Sequence, residues 1–157
     1  MSNNTPTVIF VPVDGSEGSI RAAQTAIALG APLGARVELL FAFPENAYEL
    51  FGMPAEYATQ EQMKYLDPDN FAQLRQSNAD QAFEKVRNAL GDAAQTIAAQ
   101  HLLGGEPGQA VINHVEPVDR ALIVVGSRGM SRVRGLLIGS VSQRLTQHAP
   151  CPVMVVR

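Results

Sequence analysis

The chain has 157 residues, which is the size of one domain. Hydrophobic residues make up 46% of it and charged residues 17%, a balance typical of globular proteins and outside the range of disordered ones. The net charge of −3 gives no electrostatic reason to expect nucleic acid or an anionic membrane surface as a partner.

The single cysteine and the first residues bear on the compartment. Cys151 has no second cysteine to pair with, which suits a reducing environment. Residues 1–6 lack the basic and apolar regions of a signal peptide, and we expect them to be flexible. No apolar run approaches the ~20 residues of a membrane helix. We therefore predict a soluble cytoplasmic protein that does not insert into a membrane.

The first elements predict a strand, a helix and a second strand. Residues 8–13 read VIFVPV, a β-branched run typical of a strand buried on both faces. Apolar residues then recur at helical spacing until about residues 32–34. Residues 37–43 read VELLFAF and predict a second buried strand. These three elements form a βαβ unit with a right-handed crossover.

Residues 44–68 show no clean periodicity and are predicted to be a long loop with room for a short helix. This segment contains five large side chains: Tyr48, Phe51, Met53, Tyr57 and Tyr65. They would either cover the sheet or present a surface to a partner, and the general tendency of apolar residues to pack favours cover.

The rest of the chain alternates between helices and strands. The predicted helices are residues 70–90, a short one from Pro107, and 140–148; the predicted strands are 98–103, 121–125 and 152–156. Strands alternating with helices predict a parallel sheet with helices on both faces. No repeat or linker divides the chain, so residues 1–157 form a single domain.

Unusual residues follow two of these strands. Asp14 and a serine follow the first strand, and Gly126-Ser127-Arg128-Gly129 ends the fourth. Ligands of open parallel sheets bind beyond the carboxyl ends of the strands. We therefore expect both segments to lie at the ligand site.

The chemistry of residues 126–141 favours an anion. Glycines allow close backbone approach, and the helix start at Gly139-Ser140 attracts negative charge. Arg128, Arg132 and Arg134 add three cations. A polyphosphate would use all of these groups. The Asp14 carboxylate would instead hydrogen-bond a sugar hydroxyl or the base, or help hold a metal ion. Alternatively, the glycines only shape a turn and Ser140 only caps the helix. The two standard phosphate-loop signatures are absent.

The spacing Gly126-x2-Gly129-x9-Gly139-Ser140 resembles the nucleotide-binding motif of the universal stress protein family. The similarity extends over nearly the whole chain, including residues 11–16, 39–42, 104–107 and 148–153. It implies a Rossmann-like fold of the adenine nucleotide α-hydrolase type, with five parallel strands in the order 3-2-1-4-5. It also implies the branch of the family that binds ATP.

The resemblance also implies which residues contact ATP, with Mg²⁺ or Mn²⁺ bridging the phosphates. Asp14 would meet the adenosine, and Ala42 would line the adenine pocket, where its small size would leave room. The full set comprises Pro12, Val13, Asp14, Ala42, Val125, Gly126, Ser127, Gly129, Gly139, Ser140, Val141 and Ser142.

Family members are usually homodimers that pair their last strands. An apolar edge strand at Val153–Val156 independently favours this, because an isolated monomer should avoid exposing one.

Three functions fit these observations. The first is an ATP-binding regulatory or stress-response module read by an unidentified protein partner. The second is a slow ATPase or phosphotransferase, for which Ser131, Arg132 and Arg134 supply no convincing base. The third is a nucleotide-free structural dimer or adaptor.

The remaining reactive residues are assigned no function. Cys151 precedes a buried strand and is expected to pack rather than react. His101, His114 and His148 are scattered and lack metal-ligand spacing, so His101 is interpreted as strand surface and the others as helix positions without a role.

Overall fold

The computed structural model describes residues 4–130 and 138–157. Its five strands form one sheet in which every pairing is parallel, in the order β3-β2-β1-β4-β5. The strands are β1 (Val8–Pro12), β2 (Arg36–Phe43), β3 (Ile97–Gly104), β4 (Ala121–Gly126) and β5 (Val153–Val156). The predicted topology is confirmed.

The helices are α1 (Glu17–Leu33), α2 (Ala47–Phe51), α3 (Gln60–Met63), α4 (Pro68–Leu90), α5 (Pro107–Val115) and α6 (Ser140–His148). For two of the longer ones, the sequence explains where they begin or end. Ser16 caps α1, which ends at Gly34 in the left-handed conformation, and Pro107 occupies the first turn of α5. No described helix is long and apolar enough to cross a bilayer.

Helices cover both faces of the sheet, as predicted. One core cluster joins α1 and α4 to alternate strand residues, including Ile9, Leu39 and Val124. A second joins α5 and α6 to the intervening residues, including Phe10, Leu40 and Ile123. Successive side chains of a strand point to opposite faces, so the uninterrupted apolar runs of the sequence supply both cores.

Residues 44–68 differ from the predicted loop. They contain α2, α3 and two single 3₁₀ turns, Ala55–Tyr57 and Lys64–Leu66. Side-chain caps from Asn46 and Thr59 begin the two α-helices, which are too short to show a helical period. The interpretation of the aromatic residues as cover is wrong for Tyr48 and Tyr57, which are 65% and 70% exposed.

Candidate functional site

A cavity of about 370 Å³ opens at the carboxyl ends of β1, β2 and β4. It lies where the chain order of the strands reverses, since β1 has β2 on one side and β4 on the other. Its volume falls in the range of small-molecule sites. The lining comprises Pro12, Val13, Asp14, Ser16, Ser19, Leu40, Phe41, Ala42, Pro107, Val111, Val125, Gly126, Arg128, Gly129, Met130, Ile138, Gly139, Ser140, Val141 and Ser142.

The inner part of the cavity is apolar. Leu40 and Val111 are buried and belong to the core between the sheet and α5, and Val125 is 5% exposed. Ala42 follows Leu40 by two residues, so both point to the same face of β2. This wall suits a flat, weakly polar group such as a purine ring.

Asp14 stands at the polar rim and joins the segments that follow β1 and β4. Its Oδ1 accepts a hydrogen bond from the Ser16 amide, and its Oδ2 accepts one from the Met130 amide, both at 2.9 Å. Each carboxylate oxygen has a second lone pair, so Asp14 can still accept hydrogen bonds from a ligand.

The first turn of α6 forms another part of the rim and differs from those of the neighbouring helices. Side chains cap α1 and α5, with Ser16 accepting from Ser19 and Glu106 accepting from two amides. No side chain in the described part of the chain caps α6, whose N-cap is Gly139. Its first-turn amides therefore remain available to an anion at the positive end of the helix dipole.

Backbone groups of Ser127 hold the start of α6 in place. Its carbonyl oxygen accepts hydrogen bonds from the Gly139 amide at 2.6 Å and from the Ser142 hydroxyl at 3.2 Å. Its own amide donates to Val156 at 2.8 Å. Ser127 thus ties β4, β5 and α6 together at the edge of the cavity.

The three glycines of the motif occupy different environments. An added Cβ at Gly126 would lie 2.7 Å from the backbone carbonyl carbon of Gly18, and one at Gly129 would lie 2.5 Å from the Asp14 Oδ2. At Gly139 the nearest atom among the described residues would be 3.4 Å away, and its φ of −72° suits any residue. Backbone packing therefore requires glycine at Gly126, a side chain at Gly129 would displace the Asp14 carboxylate, and the described residues leave room for a Cβ at Gly139.

The structure brings eleven of the twelve predicted site residues to the cavity. The exception, Ser127, is buried and does not line it. Of the three predicted cations, Arg128 lines the cavity, while Arg132 and Arg134 lie outside the described residues, as does Ser131. Sequence reasoning missed the apolar residues Leu40 and Val111, since nothing distinguishes them from ordinary core residues.

No cavity-lining residue in the described part of the chain comes from residues 44–68. Cys151 packs against the core between the sheet and α6. Burial raises the pKa of its thiol, which makes the thiol less reactive, as a packing role requires.

The interpretation of the histidines as scattered is wrong for two of them. His101 Nε2 lies 2.8 Å from Glu38 Oε2, and the rings of His101 and His114 are 4.7 Å apart. Burial lowers the pKa of His114, and the neighbouring His101 lowers it further. Burial raises the pKa of Glu38, but hydrogen bonds from Arg36 and His101 outweigh this and lower it overall. None of these residues lines the cavity.

Comparisons with known proteins agree with this architecture. The model of the universal stress protein family matches residues 7–157. The relative named "Universal stress protein in QAH/OAS sulfhydrylase 3'region" from Thermus aquaticus is 33% identical over 150 residues, covering 95% of this chain and 97% of that protein.

Two solved structures have similar folds. The universal stress protein UspA from Lactobacillus plantarum is 25% identical with a TM-score of 0.73, covering 96% of this chain and 97% of that one. A universal stress protein in complex with cAMP is 22% identical with a TM-score of 0.61, covering 98% of each chain.

Proposed function

Because the chain belongs to the universal stress protein family, we propose that it is a cytoplasmic regulatory module that binds ATP in the cavity between β1 and β4. The observation that carries the proposal is the first turn of α6, which no described side chain caps, at the rim of an apolar cavity. An apolar wall and an anion-binding rim side by side match the two halves of a nucleotide. A structural neighbour in complex with cAMP supports an adenine nucleotide as the ligand.

In this proposal, ATP occupies two parts of the cavity. The adenine would pack between Ala42 and Val125, with Asp14 accepting hydrogen bonds from the nucleoside. The phosphates would accept hydrogen bonds from the amides of Ser140 and Val141. Gly139 has no side chain to block their approach. Pro12, Val13, Gly126, Gly129 and Ser142 are the other lining residues of the predicted set. Ser127 would act by holding α6.

Mg²⁺ or Mn²⁺ would be held mainly by phosphate oxygens and water. Asp14 is the one carboxylate among the described lining residues, and two backbone amides already bind it. A site with so few protein oxygens fits a cation that arrives with its nucleotide. The same scarcity leaves no free general base in the described lining, so we propose binding rather than efficient hydrolysis.

Nucleotide extraction tests the proposal. The protein is purified without a chelator, denatured in acid, and the released small molecules are identified by mass. We expect ATP or its hydrolysis product ADP in the extract, or stoichiometric uptake when Mg-ATP is supplied. An extract without adenine nucleotide, together with no uptake, would overturn the proposal.

Gly139→Val should weaken Mg-ATP binding about tenfold, equivalent to about 1.4 kcal/mol, while lowering the melting temperature by only about 2–4 °C through the poorer helix cap. The valine would fill the space through which phosphates approach, whereas the surrounding protein tolerates a Cβ there. Isothermal titration calorimetry and thermal denaturation measure the two effects. Gln147→Val, which adds the same side chain to the exposed far end of α6, is the control. Equal affinities in both variants would contradict the assignment of Gly139.

We also propose that two copies of the chain pair through β5. The Ile123 amide donates to the carbonyl oxygen of Pro152 at 3.0 Å, and the Ser127 amide donates to the carbonyl oxygen of Val156 at 2.8 Å. In a parallel sheet, alternate residues of a strand bond to the same neighbouring strand. Because Pro152 and Val156 bond on the β4 side, the backbone groups of Val153 and Val155 point to the open edge of the sheet. They are placed to pair with a second β5.

Val155→Pro should therefore turn the dimer into a monomer without breaking the pairing of β4 with β5. Proline removes an amide hydrogen that points to the open edge, and edge strands tolerate proline. Light scattering coupled to size-exclusion chromatography measures the mass. Val155→Thr retains the amide and should remain dimeric. A monomeric wild-type protein, or a dimeric proline variant, would contradict the proposed interface.

A further inference from the structure

Glu38, His101 and His114 form a cluster on the face of the sheet that packs against α5. They come from β2, β3 and α5, and one ligand-type atom from each lies within 4.8 Å of the other two. Glu38 precedes Leu40 by two residues on the same face of β2, and His101 pairs with Leu40 from the neighbouring strand, so the cluster borders the apolar end of the cavity without lining it. It is separate from the proposed ATP site.

The surroundings hold each member of the cluster in place. Arg36 Nε donates to Glu38 Oε1 at 2.7 Å, which leaves Oε2 facing His101 at 2.8 Å. The His114 ring meets the buried Phe10 ring edge to face, at 5.4 Å between centroids and 86° between planes. The three groups are therefore oriented toward one another before any ligand arrives.

A carboxylate at this position needs an explanation. Glu38 is only 9% exposed and lies between Val37 and Leu39 in the second strand. A buried carboxylate is costly unless it is paired or coordinates a metal. Pairing with Arg36 uses one oxygen, and the second contacts His101, whose ring lies 4.7 Å from that of His114.

We propose that Glu38, His101 and His114 bind a divalent transition metal of the zinc class through one carboxylate oxygen and two imidazole nitrogens. Two imidazoles and one carboxylate are a donor set that zinc uses in proteins. Zinc bonds of about 2.0–2.2 Å place tetrahedral ligand atoms about 3.3 Å apart. The Glu38–His101 pair must open slightly and His114 must approach, both within the reach of small side-chain rotations.

Two further features suit a metal. Arg36 supports the carboxylate from outside, as residues behind a metal ligand commonly do. The His101 side chain is 34% exposed on the edge strand β3, so the site has a route to solvent and room for a water ligand. The competing possibility is a cluster held by hydrogen bonds alone, which would bind no metal.

The untagged, full-length protein is first treated with a chelator to remove bound metal. Titration of this protein with zinc then tests the proposal. We expect one Zn²⁺ per chain with micromolar or tighter affinity, measured by competition with a chromophoric chelator. Co²⁺ should give the visible absorption bands of a four- or five-coordinate ion and lose them when Zn²⁺ is added. No binding by the folded protein would overturn the proposal.

Variants locate the ion. His101→Gln, on the partly exposed edge strand, and Glu38→Gln should each weaken zinc binding by at least the roughly 10–100-fold that removing a supporting residue typically costs. His148→Gln and Cys151→Ser, which alter potential ligands outside the cluster, should bind zinc as the wild type does. Circular dichroism checks that each variant is folded. Equal affinity in wild type and His101→Gln would overturn the proposal, and neither result depends on ATP binding.

Discussion

Asp14→Ala should weaken Mg-ATP binding about 100-fold, which corresponds to about 2.7 kcal/mol. Hydrogen bonds to a charged group contribute about 1.5–3 kcal/mol each, and the variant loses those that the carboxylate makes to the nucleoside. It also loses the bond from Met130, which joins the segment after β4 to the segment after β1. Both losses fall on the proposed nucleotide site, and isothermal titration calorimetry measures their sum.

Two companion variants separate these contributions. Asp92→Ala removes an exposed acid on another part of the surface and should bind ATP as the wild type does. Asp14→Asn retains one oxygen acceptor and should bind with intermediate affinity. If Asp14→Ala changed the affinity less than twofold, Asp14 would have no part in recognising the nucleoside.

Gly126→Ala should lower the free energy of unfolding by about 3 kcal/mol, at the upper end of the usual cost of overfilling a packed interior. The new Cβ would lie 2.7 Å from the carbonyl carbon and 2.8 Å from the carbonyl oxygen of Gly18. These are backbone atoms, so α1 and β4 would have to move apart. Urea denaturation measures the change as a lower midpoint.

The matched variant is Gly139→Ala, in which the added Cβ would have no neighbour closer than 3.4 Å among the described residues. Its stability should fall by no more than about 1 kcal/mol, the typical cost of alanine at a helix N-cap. Equal stability of the Gly126 and Gly139 variants would show that the close approach of β4 to α1 does not constrain the fold.

The fold was largely predictable because its signals are local. Apolar runs and helical spacing mark the strands and longer helices, and their alternation implies a parallel sheet. The weak run at residues 98–103 still lies in a strand, Ile97–Gly104, although it contains Gln100 and His101. The short helices α2 and α3 could not be predicted, because four or five residues do not establish a period.

The polar rim of the site was predictable, whereas its floor was not. Asp14 and the motif glycines stand out at strand ends, but Leu40 and Val111 resemble any other core residue. Ser127 belongs to the set that the family resemblance implies, but it is buried and does not line the cavity. Its backbone groups bond to α6 and β5 instead.

The Glu38–His101–His114 cluster could not be predicted from spacing. Glu38 and His101 are 63 residues apart, and they meet because β2 and β3 pair with Leu40 opposite His101. His114 joins them only when α5 packs on that face of the sheet. Motif rules detect ligands on one helix or loop, and these three lie on three elements.

Titrating the purified wild-type protein with Mg-ATP in a calorimeter tests the central claim most directly. We predict one ATP per chain with a dissociation constant of roughly 1–100 μM, corresponding to about −8 to −5.5 kcal/mol. Adenosine alone and triphosphate alone should each bind more weakly, since each would occupy only one part of the cavity. The absence of any binding heat at several temperatures, with a properly folded protein, would contradict ATP binding.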